Sequence, residues 1–448
     1  MIRLRLKHLC SRLAILSSFA ITLLISGSVQ AQTSSEESNV DSIPASNAEK
    51  SWDISYGAYI ESTLEVEKDF DLNDGNKDDI ITNEPEAGIT LRLDTSSRYK
   101  IYFEAELTRR DFLQNDTDKD DEDWDVTIEE TYVDIDIARD DYILRVGRQE
   151  FRDDMEWIYD ADLDGIRLFS ERKTINWEVA AMRENTFINE FLNSQEDEDE
   201  DIRNLAVITH FKPKENVNLS AYIISRDEKT FDGSRPEDLL FFGVQSVGKM
   251  VPGFKHWLNA AYLTGERERS ADTRTIEARA IDIGGTFIAD TPKEPSFTLG
   301  FAYGSGDAER NQGKDINFRQ TGLQDNYYKF NGVTKIKYLG EVFDPEITNI
   351  SIMTLGFGIR PTKKSSIDII YHAYNQVEAV DRLTGSNIDR DPEGNSKDLG
   401  YEIDVIFGSK EIKDVNIEAV LGIFSPGKAF NSNADRAYFA SLEISLGF

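Results

Sequence analysis

The sequence predicts an all-β protein, a single transmembrane antiparallel up-and-down β-barrel of about 18 strands with short turns at one end and long loops at the other. Three observations carry that reading. An export segment opens the chain. Apolar and polar residues then alternate with a period of two, in segments of about ten residues, which is the length a tilted strand needs to cross a bilayer. Finally, the connections between those segments alternate between short and long.

In the export segment, Arg3, Arg5, Lys7 and Arg12 precede an uncharged stretch from Leu13 to Ile25, and small residues lead on to Val29-Gln30-Ala31. This is the three-part grammar of a secretory signal peptide over residues 1–31, with cleavage after Ala31. Cys10, the only cysteine, leaves with it, so the mature chain has neither disulfide nor thiol chemistry. Residues 32–50 are mostly Ser, Glu, Asn and Asp with little to bury and read as a disordered leader. The barrel is expected over residues 51–448, with order beginning at Trp52.

Charge and hydropathy exclude other classes. The full chain carries 50 Lys+Arg against 83 Asp+Glu, a net charge of −33. Without the four basic residues of the signal the balance is 46 against 83, or −37. Nucleic acid calls for the opposite sign. The hydrophobic share is 39%, and after residue 31 no run approaches the roughly 18 apolar residues of a transmembrane helix.

The strands follow from alternation. Tyr438, Ala440, Leu442, Ile444, Leu446 and Phe448 share one face, and Ser441, Glu443, Ser445 and Gly447 share the other. Tyr99, Ile101, Phe103, Ala105 and Leu107 likewise oppose Lys100, Tyr102, Glu104 and Glu106, and Ile369 and Val405 oppose polar neighbours on their own segments. A soluble sandwich would share this pattern with its apolar face turned inward; the connections decide for the barrel. Short turns fall at 96–97, 139–140, 171–173, 213–216, 250–254, 290–295, 361–365 and 409–414. Between them lie polar stretches at 67–85, 111–124, 151–162, 185–201, 227–238, 267–275, 307–346, 379–398 and 425–435. Eight turns and nine loops make 18 strands with both ends on the short-turn side, and residues 333–343 could add one more. No second domain or internal repeat is visible.

Two blocks carry a resemblance. Val146-Gly147-Arg148-Gln149-Glu150-Phe151, continued through Trp157 and Asp160 to Asp162-Leu163-Asp164-Gly165-Ile166-Arg167-Leu168, resembles the signature of the alginate export family of outer-membrane barrels. Ala302-Tyr303-Gly304-Ser305-Gly306-Asp307, followed by Asn317-Phe318-Arg319-Gln320-Thr321-Gly322-Leu323-Gln324, is similar to the family's second signature. The terminal Phe448 is similar to the signal read by barrel-assembly machinery in Gram-negative bacteria. The resemblance implies an 18-stranded monomer in the outer membrane, among lipid and lipopolysaccharide. Through it an anionic polysaccharide, alginate, would leave the periplasm past an arginine-rich constriction with a few carboxylates. A periplasmic scaffold protein is a further implied partner. The last short turn, 409–414, departs from the pattern, because it leaves little room for the long periplasmic plug associated with alginate exporters.

Parity assigns Arg92, Arg145, Arg167 and Arg360 to the lumen, where cations would attract the carboxylate of each passing uronate residue. The bland alternative is that they pair with Glu104, Glu106, Asp134 and Asp136 and brace the wall. Arg148 has the parity of Leu144 and Val146, so it lies beyond the membrane zone or follows a bulge. Arg319, in a long loop, and Asp164 join the pore set on the family blocks alone.

No cofactor is expected. Asp160-x-Asp162-x-Asp164-Gly165 with Glu171 fits a calcium-loop expression, but Ile166 and Leu168 alternate into a strand where the site needs helices. Asp389-x-Asp391-x-Glu393-Gly394 is a partial match in a long loop. The acidic runs 116–123 and 195–201 read as solvated loop charge, with cation bridging to lipopolysaccharide as the functional alternative. The mature chain has only His210, His256 and His372 and lacks a G-x-S-x-G elbow, so no enzyme is expected. Two function classes stay open: an exporter of acidic polysaccharide, and a diffusion porin for small anionic or sugar solutes.

Overall fold

In the computed structural model, the described residues are 52–73, 75, 79–95, 98–115, 124–137, 141–184, 201–229, 236–269, 272–308 and 313–448. The export segment and leader lie outside them, as do the acidic stretches 116–123 and 195–200. No helix occurs among the described residues.

The wall is built from β1 (Trp52–Lys68), β2 (Ile80–Thr95), β3 (Tyr99–Thr108, continued by Asp111–Asn115), β4 (Asp125–Asp136), β5 (Tyr142–Arg152) and β6 (Asp160–Ser170). It continues through β7 (Ile175–Arg183), β8 (Asp201–Lys214), β9 (Val217–Lys229), β10 (Glu237–Val251), β11 (Phe254–Arg269) and β12 (Asp272–Ile288). The remaining strands are β13 (Ser296–Gly304), β14 (Ile350–Thr362), β15 (Ser365–Gln376), β16 (Asp398–Ser409), β17 (Val415–Pro426) and β18 (Ala437–Gly447). Both pieces of β3 pair with β2 in succession and occupy one position in the wall, so the strands number 18. Every neighbour is antiparallel, and β1 pairs with β18 from Tyr59↔Gly447 to Lys68↔Tyr438. That last ladder closes the sheet and leaves no edge.

Among the described residues the turns and loops fall close to where alternation puts them, and the turns expected at 96–97 and 139–140 lie outside those residues; strands take up 80–85 and 111–115 of the expected loops, and two stretches differ more. The stretch 267–275 is mostly strand, because β11 and β12 stay paired out to Arg269↔Asp272. Residues 333–343 add no wall strand; Tyr327–Tyr328 pairs with Ile336–Lys337 in a separate two-stranded ribbon.

Side chains obey the pleat. On β13, Phe297, Leu299 and Phe301 are exposed, while Ser296, Thr298, Gly300 and Ala302 between them are buried. Met353, Leu355 and Phe357 on β14, Ile369 on β15 and Val405 on β16 continue the exposed apolar band. Aromatic pairs mark it, Phe297 with Phe357 at 5.1 Å and Tyr371 with Tyr401 at 5.8 Å. An outward apolar band edged by aromatics is the surface a barrel presents to lipid.

Candidate functional site

The inner face is where the strands stop being equivalent. Residues 305–308 and 313–349, between β13 and β14, fold down inside the barrel. Their lowest point is fixed by the side chain of Asn331 donating to the Glu294 carbonyl at 3.1 Å, by Arg360 Nε donating to the Asn331 carbonyl at 2.8 Å and by the Val333 N–H donating to Ser366 Oγ at 3.0 Å. Glu294 belongs to the short turn between β12 and β13, so this lumen loop spans most of the barrel's height. Its aromatics supply the adhesion. Trp257 of β11, 2% exposed, stacks on Phe330 at 5.3 Å and donates its indole N–H to Asp282 at 2.8 Å. Burying such rings is worth roughly 1.5–3 kcal/mol each.

Residues 153–159, between β5 and β6, also turn inward. Gln245 donates to Asp153 at 2.6 Å and Asn218 to Asp154 at 2.7 Å, both from the facing wall. The two inward segments lock together: Gln320 Nε2 donates to the Trp157 carbonyl at 2.9 Å, and Trp157 stacks on Phe318. Together they cover the inner faces of β13 to β16, whose alternate residues are buried. The inner residues of β1, β3, β4 and β18 remain half-exposed and line what stays open.

At the short-turn end of this open wall the structure gathers Arg92, Arg145 and Arg167. Cross-strand register sets Asp94, Lys100, Asp134, Arg145 and Arg167 in one row. Arg145 grips Asp134 with two bonds of 2.7 and 2.9 Å, and its guanidinium lies 3.7 Å over the Tyr132 ring. Arg167 donates through Nε to Glu178 at 2.8 Å, between the rings of Phe151 and Phe169. Arg92 bonds Asp94 at 3.1 Å and is half exposed. Tyr102 and Tyr132 stack at 5.2 Å beside them. Each arginine is thus aimed by a carboxylate or a ring. A guanidinium has five N–H groups, so Arg145 and Arg167 can still serve a second acceptor.

Glu104 and Glu106 do not brace these arginines. They take phenol hydroxyls instead, Tyr102 donating to Glu104 and Tyr59 to Glu106, both at 2.6 Å. The open wall is also acidic, with Glu104↔Glu130, Glu61↔Glu86 and Glu418↔Glu443 directly opposite across strands. Like charges so placed are destabilising, so this band is not there for the sheet's sake. Parity would have found it, since Tyr59, Glu61 and Glu65 alternate along β1.

The other expected residues are scattered. Arg360 also reaches the Gly332 carbonyl at 3.3 Å, so it anchors the lumen loop and does not face the open space. Arg319 sits at the long-loop end, in a cavity of about 400 Å³ that Arg267, Arg274 and Arg382 also line; it pairs with Glu237 at 2.9 Å and Asp315 at 3.3 Å. Arg148 and Asp164 are cross-strand partners beyond Gly147, whose φ of 133° marks where β5 parts from β4. Asp164 is buried.

The calcium-loop match falls on β6, whose extension keeps Asp160, Asp162 and Asp164 from converging on one ion. Asp160 instead meets Glu156 and Asp325, with carboxylate oxygens within 4.8 Å of one another. Arg152 bonds Asp160 and Lys335 bonds Glu156, so cations of the chain itself offset this cluster. Burial pushes the Glu156 carboxyl up to about 7.

A family model described as alginate export matches residues 53–440. The alginate production protein AlgE of Pseudomonas aeruginosa is 22% identical over 341 residues, 65% of this chain and 68% of that protein. Its namesake in Azotobacter vinelandii is 29% identical over 184 residues, 36% of this chain and 37% of that protein. Among solved structures, Pseudomonas aeruginosa OprD superposes with a TM-score of 0.55 at 11% identity, over 88% of this chain and 95% of its own. OccK8 (OprE) of the same organism gives 0.55 at 10%, over 88% and 98%. These structures share the fold.

Proposed function

The chain belongs to the alginate export family and is an outer-membrane barrel, and on that premise we propose that it conducts an acidic polysaccharide, a polyuronate such as alginate, from periplasm to exterior. The observation that carries the reading is the grouping of Arg92, Arg145 and Arg167 at the short-turn end, which is the periplasmic end of such a barrel. A uronate carboxylate entering there meets guanidinium groups already oriented by Asp94, Asp134 and Glu178. Each contact replaces water with a charge-assisted bond, and because the arginines keep their own partners, each is weak enough to release the chain to the next. Arg319, with Arg267 and Arg382, offers a second set of cations near the exit, and Arg148 with Asp164 belongs to the upper wall between them. The protein acts as a transport channel and monomer, and no residue is assigned a catalytic role. Lipopolysaccharide, the assembly machinery and a periplasmic scaffold are its proposed partners, and residues 1–31 its export signal.

Planar-bilayer recording with defined uronate oligomers tests this directly. Oligomers added on the periplasmic side should interrupt the current, and reversal potentials in a salt gradient should show anion preference. Cation preference, or selectivity unchanged after Arg167→Glu combined with Arg319→Glu, would sink the arginine-lined conduit. One observation favours a second reading, a diffusion porin for small solutes: the facing glutamates of the open wall would repel a polyanion. Rapid uptake of small neutral sugars into proteoliposomes, with no response to uronate oligomers, would select it.

A further inference from the structure

The lumen loop returns from its lowest point along β15, β16 and β17, and there it passes two buried carboxylates of β16, Glu402 and Asp404. Glu402 of β16 is fully buried. One of its oxygens accepts the Val342 N–H at 2.7 Å and the other accepts the Phe343 N–H at 2.8 Å. The Tyr374 hydroxyl lies 3.2 Å from the second oxygen and donates to the Leu339 carbonyl at 2.8 Å. The next side chain of the loop, Phe343, fits between Tyr374 at 4.6 Å and Phe424 at 5.0 Å. Gly340 has a φ of 132°, and a Cβ there would strike the Tyr374 hydroxyl, so the approach admits only glycine.

A buried carboxylate is costly unless it is hydrogen-bonded. Here both oxygens are spent on consecutive backbone N–H groups of a segment that belongs to no wall strand, and such charge-assisted bonds are the strong kind. Nothing in the closure of the barrel requires a glutamate at this inner position, since β16 is already paired on both sides from its own backbone.

We propose that Glu402 is a positioning residue that latches the lumen loop to the inner wall and so sets the width of the open channel. Arg360 holds the loop's lower end by its carbonyls, and Glu402 holds the returning limb by its N–H groups. The inference rests on the chain being a channel and not on which polymer or solute it carries.

The test is single-channel conductance in simple salt. Glu402→Gln keeps the volume but turns one acceptor into a donor facing an N–H. Conductance should fall about twofold as the loop leaves the wall and enters the open lumen, since current follows the open cross-section. Gly340→Ala breaks the same contact from the loop side with Glu402 intact and should give the same fall. A Cβ on Gly422 would touch Val342 Cγ2, so Val342→Cys with Gly422→Cys can form a disulfide, and Cys10 is the only native cysteine. Oxidised, this pair should return the Glu402→Gln channel to the wild-type value, and reductant should undo the return. Wild-type conductance in both single variants, with heat-modifiable gel mobility intact, would overturn the latch, as would a lowered conductance that the oxidised pair does not restore. Interruption of current by uronate oligomers is read separately: its loss would count against the cargo and leave the latch result standing.

Discussion

Two arcs of one barrel wall, the four strands β13 to β16 and the five from β18 through β1 to β4, share an alternating pattern and an apolar exterior and differ in what covers the inner face. In the first, Gly300, Thr298, Gly356, Thr354, Gly358 and Gly408 leave room at the inner face, and the larger inner residues, among them Tyr374 and Glu402, are buried. The lumen loop lies against them, with the Phe330 ring by Gly356 and with Val333 and Thr334 on Gly408. In the second, the inner positions are Tyr59, Glu61, Glu86, Arg92, Tyr102, Glu104 and Tyr132, long side chains that stay half-exposed. Alternation tells which face is inward; it does not tell whether protein or solvent covers it.

The largest test of this difference is a ring deletion on each side of it. Trp257→Ala, on β11 beside the covered arc, removes a buried ring under the lumen loop and should cost about 3–5 kcal/mol. Tyr102→Ala, in the open arc, should cost about 1 kcal/mol. Equal losses in urea unfolding would erase the distinction. The outer faces should not differ: Leu299→Arg in the covered arc and Leu442→Arg in the open arc should each cost about 2–4 kcal/mol at the midplane, read as lost assembly. A large disparity would mean the arcs differ outside as well.

One effect of acidity falls where loop meets loop. The Glu156 carboxyl is raised from 4.5 to about 7 by burial, with Lys335 opposing the shift. The docked state therefore favours the protonated acid; its contribution is full below pH 4.5 and is lost as pH rises through about 7. The N–H groups of Asp325 and Asn326 donate to the Glu156 carbonyl, and their hydrogen exchange, corrected for intrinsic rates, should quicken across that window while the inner strands stay protected. The smallest effect is Arg92→Ala, which breaks a half-exposed pair and should change stability by under about 1 kcal/mol, while reversal potential still reports the lost charge.

The fold was legible because a strand's period and a turn's brevity are local properties. The short turns could be read from Gly, Pro, Asn, Ser or charged pairs between apolar runs, and the overestimated loop at 267–275 shows the limit: charged strands that project beyond lipid look like loops. The site was legible in part. Parity placed Arg92, Arg145, Arg167 and Arg360 on the inner face, but it could not tell Arg145, beside open space, from Arg360, under the lumen loop. Polarity marks residues 305–349 as solvated without saying whether the water is outside the barrel or within it. The neglected signal was aromatic: Phe318, Tyr327, Tyr328, Phe330, Tyr338 and Phe343 are too many rings for a stretch with nothing to cover. Of the carboxylate partners, Asp134 was among those expected, but Asp94 and Glu178 were missed because pairing across strands depends on register, which alternation leaves free by any even number of residues.

The division of the lumen is tested most directly by cysteine accessibility, since Cys10 is the only native cysteine. Single cysteines at Thr63 and Thr90, on the open inner wall, should react quickly with a charged thiol reagent and reduce the current of a reconstituted channel. Cysteines at Thr298 and Thr354, under the lumen loop and 2% and 4% exposed, should stay unreacted with the current unchanged. Equal, rapid modification at all four positions would show that the lumen loop does not cover the wall and would contradict the account.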